Sequence, residues 1–211
     1  MTRQQEGFAR TAQSMIKELE KRNMEGFFCE TSKEAVEKVL SFLPEGATIS
    51  WGGSETIKEC GLMDAIRNGN YNLLDRANVR GEEEYRDFFS QVVKADAFLM
   101  STNAITENGE LVNIDGASNR LACLLHGPKN VFVIVGMNKL TSDVPAAIGR
   151  IRNVACPANT IRLNRNTPCS LTGKCGNCFS PDSICSQIVI TRRSSQPKRI
   201  KVILVAEPLG Y

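Results

Sequence analysis

Four cysteines, Cys169-x5-Cys175-x2-Cys178-x6-Cys185, stand close together in the last third of the chain. Cys-x-x-Cys places two thiolates on one tight turn. Two further sulfurs can close a tetrahedral site, which zinc takes at about 2.3 Å per bond and iron takes within a cluster. The spacing matches neither a paired-knuckle zinc ribbon nor a bacterial ferredoxin run. An iron–sulfur cluster and a structural zinc therefore both stay open, as does a set of unmetallated thiols. Cys156 is a spare ligand, and Lys174 with the arginine-rich flanks offsets the negative charge of four thiolates.

A second group is Trp51-Gly-Gly-Ser-Glu-Thr56, between a predicted strand and a predicted helix. Gly52 and Gly53 let the backbone turn tightly and approach a ligand, and the free N–H groups of a helix start suit an anion. Ser54 and Thr56 add hydroxyl donors. A plain turn with Ser54 as helix cap explains the same residues, because the run lacks the spacing of a phosphate loop or a dinucleotide fingerprint.

The third group is polar and runs from Ser101 to Arg120. Glu107 and Asp115 are candidates for acid–base work, and Arg120 can pair an anion. Asn103, Asn113, Gly116 and Asn119 lie between them. Loops beyond the carboxyl ends of parallel strands are where such sheets bind ligands. The competing explanation is a hairpin followed by a helix cap running from Asp115 to Ser118. The lone histidine, His126, precedes Gly127-Pro128 at a predicted helix end, where it supports the last carbonyls rather than catalysis. A histidine-rich metal site is excluded. Arg192-Arg193 and Lys198-Arg199 lack neighbouring aromatics for base stacking, so they read as solvated loop charges and not as a specific nucleic-acid site.

These groups need a scaffold. The chain has 211 residues, 42% of them apolar and 23% charged, with a net charge of +3. That suffices for a buried core and excludes an acidic disordered tail or a highly basic nucleic-acid module. The charge is uneven: residues 150–201 carry ten Lys/Arg against one acid. No window has the roughly 18 apolar residues of a membrane span, and the first ten residues lack a leader's apolar core. A cytoplasmic, reducing compartment is the expectation, which argues against disulfides.

Helical periodicity opens the chain over residues 1–25. A capping box at Thr31-Ser-Lys-Glu34 starts the next helix. Further helices are expected from Ser54, from Gly81, over Ala117–Leu125 and over Asp143–Arg152. Strands are expected at Gly26–Cys29, Ala47–Trp51, Tyr71–Asp75, Ala97–Met100, Leu111–Asp115, Val131–Val135, Ile188–Thr191 and Lys201–Val205. Asn108-Gly109 is hairpin chemistry joining Ala97–Met100 to Leu111–Asp115. The alternation implies one α/β domain, three-layered, with a mostly parallel sheet. Residues 156–185 lack periodicity and read as a cysteine-rich insertion before the last strands.

Trp51-Gly-Gly-Ser-Glu-Thr-Ile-Lys-Glu59, Asn103-Ala-Ile-Thr-Glu-Asn-Gly-Glu-Leu-Val-Asn-Ile-Asp-Gly116 and Val135-Gly-Met-Asn-Lys139 together resemble the lactate-utilisation (LUD) domain family. Thr167–Cys185 is similar to the tail of its stand-alone members, and Ile200–Tyr211 also fits. The resemblance implies a fold of the CoA-transferase, ribose-phosphate isomerase and glucosamine-phosphate deaminase group, where glycine-rich turns hold phosphate or carboxylate. It implies a part in lactate oxidation, in which relatives work beside iron–sulfur subunits.

Three functions are consistent with this. The first is a protein of organic-acid utilisation that binds a small anionic metabolite through Gly52, Gly53, Ser54 and Thr56, with Asn103, Glu107, Asn113, Asp115, Gly116, Asn119 and Arg120 opposite and Lys139 adding a charge. The second is an iron–sulfur or zinc-bearing redox accessory serving a partner subunit. The third is a non-catalytic metabolite sensor. Assembly into a homo-oligomer is left open.

Overall fold

The computed structural model describes residues 2–211. Helix α1 (Arg3–Lys21) starts at a capping box formed by Thr2 and Gln5. Ala12, Met15 and Leu19 recur on its buried face at helical spacing. Strand β1 (Glu25–Cys29) and helix α2 (Ser32–Leu40) follow, with Thr31 accepting from the Glu34 N–H as the sequence predicts. Next come β2 (Thr48–Trp51), the short helices α3 (Glu55–Glu59) and α4 (Leu62–Arg67), and β3 (Asn72–Leu74). Helix α5 (Glu82–Val93) has three glutamates in its first turn, where the helix dipole favours them. The remaining elements are β4 (Ala97–Met100), β5 (Ala104–Thr106), β6 (Leu111–Asp115), α6 (Asn119–Leu125), β7 (Asn130–Gly136), β8 (Leu140–Thr141), α7 (Val144–Arg150), α8 (Cys156–Arg162), α9 (Pro168–Thr172), β9 (Gln187–Thr191) and β10 (Ile200–Val205).

Six strands form a wholly parallel sheet in the order β1-β10-β7-β4-β2-β3. The alternation of side chains along its central strands explains their unbroken apolar runs. Val131, Val133, Val135, Val202 and Leu204 enter one cluster with α1 and α6. Phe132, Ile134, Ile203 and Val205 enter the other with α2, α3 and α4. The expected three layers are present.

A second sheet is unanticipated by the sequence reading. Its order is β8-β5-β6-β9. The Asn108-Gly109 turn does make a hairpin, but β6 pairs antiparallel with β5 and not with Ala97–Met100. Strand β9 also pairs antiparallel with β6, Asp115 opposite Gln187, so Ile188–Thr191 belongs here and not beside β10. Three-residue β5 carries too short a pattern to read from residue types. Residues 156–185 are a further correction. They are not simply a loop, because α8 and α9 lie within them and bury Cys156 and Cys169. Between α7 and α8 the backbone takes a widened π-helical turn over Ile151–Ala155.

The basic residues at 198–201 are also not all solvated. Arg199 is buried, and its guanidinium donates to the carbonyls of Cys123 (2.6 Å), Leu124 (2.7 Å) and Pro128 (2.9 Å). It thus satisfies the open end of α6, the role assigned above to His126, whose side chain is exposed. Lys201 is buried too, bonded to Asn130 and the Lys198 carbonyl. Arg199→Met should cost about 2–4 kcal/mol by leaving these carbonyls unmet, and His126→Ala less than about 0.5 kcal/mol. Urea unfolding midpoints at unchanged slope measure both, and equal losses would contradict this assignment.

Candidate functional site

The carboxyl ends of β2, β4, β7 and β10 open onto one cleft of about 540 Å³. Gly52, Gly53, Ser54 and Thr56 form one wall after β2. Asn103, Asp115, Gly116, Asn119 and Arg120 form the facing wall, and Lys139 reaches in from the turn after β7. Segments that are distant in the chain therefore meet as the sequence predicts. Two expected members do not line the cleft. Glu107 is exposed at the β5–β6 hairpin, whose tip is held by Arg22 through the Asn108 carbonyl and Glu110. Asn113 is fully buried behind the wall, where its amide oxygen accepts from the Asn103 N–H at 3.1 Å. Alternation along β6 sets Asn113 and Asp115 on one face, but only the strand end reaches the opening.

The geometry also reassigns roles. Helix α3 has five residues, too few for an effective dipole, and the Ser54 hydroxyl is used to cap it at the Ile57 N–H. Asp115 accepts from the Ser118 N–H with one oxygen and from Arg120 Nε with the other. Its carboxylate is an anchor and not a free base. Arg120 donates further to Asn103 Oδ1 at 2.9 Å and to the Ile114 and Ser101 carbonyls. Most of its donors are thus spent on shaping the wall. A Cβ at Gly52 would lie 3.2 Å from Arg120 Cβ, so glycine there lets the two walls approach.

Lys139 is the chemically distinctive group. Its ammonium is buried and, among the described residues, hydrogen-bonds to two hydroxyls, Thr56 Oγ1 at 2.6 Å and Ser101 Oγ at 3.0 Å. Burial, reinforced by Arg150 and Arg120 nearby, pulls its pKa down to about 7, while Glu59 opposes the shift. Arg76, Arg162 and Arg165 complete a cationic lining. Sequence reading counted Arg162 and Arg165 only as counter-charge for the cysteines. Helix α8, which carries Arg162 to the cleft, and the turn after it that carries Arg165 lie in a stretch without apolar period.

A second cavity of about 400 Å³ adjoins the first. Cys169, Cys175, Cys178 and Cys185 line it, and Cys156 joins them. Ile114, Cys156, Ser183 and Ile184 line both cavities. The Cys156 and Cys185 sulfurs are 3.5 Å apart. Their contact pushes the Cys156 thiol up and lowers the Cys185 pKa to about 7. Among the described residues, no three cysteine, histidine or acidic side chains converge on a single ion position. None of the described helices is long and apolar enough to cross a membrane.

Comparison with known proteins bears on the whole scaffold. The chain is similar to a DUF162 family protein from Deinococcus radiodurans at 12% identity and a TM-score of 0.56, over 94% of this chain and 98% of that one. This likeness is one of fold. Weaker likenesses are to ribose 5-phosphate isomerase A from Neisseria gonorrhoeae (12% identity, TM-score 0.35, 54% of each chain) and to eIF2B delta from Chaetomium thermophilum (16%, 0.37, 56% of this chain and 50% of that one). No curated protein matches. A family model for the LUD domain matches residues 12–205, nearly the full length, and the chain belongs to the LUD domain family, which is associated with lactate utilisation.

Proposed function

We propose that the cleft binds a small anionic metabolite, a hydroxy- or keto-carboxylate of the size of lactate or pyruvate. The observation that carries this is the Lys139 ammonium: buried in the cleft, it has two hydroxyl partners and, among the described residues, no carboxylate within hydrogen-bond distance. A buried ammonium is costly, and Glu59 offsets that cost only in part against burial, Arg150 and Arg120, so an anion beside it recovers further energy. Arg76, Arg162 and Arg165 raise the local anion concentration. Arg162 and Arg165 also meet Glu55 and Asp182, at 3.5 and 3.9 Å, which leaves their charge only partly neutralised.

A second reading, an iron–sulfur-bearing accessory to a partner subunit, is favoured by the cysteine-lined cavity. The two readings are compatible, because the cavities share a wall.

Calorimetry with lactate, pyruvate and ribose 5-phosphate tests the first reading. Lys139→Met should weaken binding of the preferred anion by at least about tenfold, or ~1.4 kcal/mol. No binding by any of the three, or equal binding by wild type and variant, would exclude this role for the cleft.

The pH dependence follows from the same ammonium. Below about 7 it is charged and attracts the carboxylate; above that value it is neutral. Binding an anion favours the charged form and moves the midpoint upward. Lactate affinity should fall roughly tenfold between about pH 6 and about pH 8.5, a range in which lactate itself does not titrate. Lys139→Met should lack the slope.

A further inference from the structure

We propose that the second cavity holds a four-iron cluster ligated by Cys169, Cys175, Cys178 and Cys185, with Cys156 standing between this cluster and the anion cleft. The first half of this inference rests on the iron–sulfur reading above, and the second half on the anion-binding reading.

The arrangement of sulfurs favours a cluster over a single ion. One zinc at about 2.3 Å from each of four thiolates draws them within about 4 Å of one another. Here, among the described residues, no three of these sulfurs converge on one ion position, and the five cysteines line an open space of about 400 Å³. A polyatomic cluster fills such a space with each sulfur bound to a different iron.

The surroundings are those that sustain bound thiolates. Thr160 and Thr167 place hydroxyls 3.4 and 3.3 Å from the buried Cys169 sulfur. The Asn177 N–H donates to Cys175 Sγ at 3.4 Å. Hydrogen bonds of this kind to ligating sulfur set the stability and potential of a cluster. Arg152 lines the cavity and is held by Asn177 Oδ1 at 3.2 Å, supplying positive charge beside the thiolates.

The fold of this segment points the same way. After α9, residues 173–186 contain no helix or strand, and Phe179 is 98% exposed. An irregular segment with its largest side chain in solvent has little packing to order it, and ligation supplies the missing constraint. The segment nevertheless approaches the cleft closely: a Cβ at Gly116 would lie 3.1 Å from Ile184 Cα. Only glycine admits that contact without displacing the Ile184 backbone.

The test is anaerobic reconstitution of the whole chain with ferrous iron and sulfide, followed by metal and sulfide analysis and electron paramagnetic resonance after reduction. The expected result is about four iron and four sulfide per chain. Cys175→Ser/Cys178→Ser should lose most of both, while Cys156→Ala and the remote Cys29→Ser should retain them. Circular dichroism confirms that the variants fold. Zinc at one per chain, no metal, or full iron in the double variant would overturn the cluster, and loss of iron in Cys156→Ala would overturn the assignment of ligands. Lactate added to reconstituted protein should change the cluster's resonance in wild type and not in Lys139→Met. An unchanged resonance in a sample whose calorimetry shows lactate bound would overturn the shared wall. If calorimetry shows no lactate bound, the anion reading has failed, and the iron content alone decides the cluster.

Discussion

The guanidinium of Arg120 joins the two sheets. It stands at the start of α6, pairs with Asp115 at the end of β6, and bonds Asn103 and the Ser101 carbonyl just beyond β4. Strand β4 belongs to the parallel sheet and β6 to the smaller one, so a single side chain spans the seam between them. A planar group with five donors suits this task, because it bonds in several directions at once without losing charge. Arg150 adds a second tie to the Asn103 carbonyl at 2.8 Å. The cleft is therefore bounded by an ion pair that holds its wall, and the free positive charge lies deeper, at Lys139.

This division separates groups that shape the site from groups available to a ligand. Asp115, Asn103 and most of Arg120 are consumed by one another. Thr56 and Ser101 hold Lys139 by their hydroxyl oxygens, which orients the ammonium without neutralising it. Burial of an ammonium among hydroxyls lowers the energy difference between its charged and neutral forms. Both forms are then accessible near neutrality, as a group that responds to an incoming anion requires.

Much of the parallel sheet is legible in the sequence because its signals are local. Val131–Val135 is a continuous β-branched run, and Thr31 and Glu34 announce a helix by short-range bonds. The gathering of Gly52–Thr56 with Asn103–Arg120 follows from the rule that ligand loops lie at strand ends. The second sheet is not legible in the same way. β5 and β8 are three and two residues long, below any readable period, and are defined by pairing across distant chain segments. Glu107 has the right chemistry for a site, yet the hairpin carries it away. Arg199 illustrates the opposite failure: a basic pair in a polar loop reads as solvated, and only the tertiary placement of the α6 carbonyls gives the guanidinium a buried partner.

The π-helical turn at Ile151–Ala155 decides which space each α8 side chain serves. Ile151 and Ala155 pack against β5 and β6, then Cys156 and Thr160, one helical turn apart, look onto the sulfur-lined cavity, while Asn159 and Arg162 look onto the cleft. Each residue on a helix is rotated by about 100° from the last. Gain or loss of one residue in that wide turn would rotate everything downstream by about 100° and take Cys156 off the partition. Relatives of this chain that differ in length at that point should thus be compared by helical angle and not by aligned residue type.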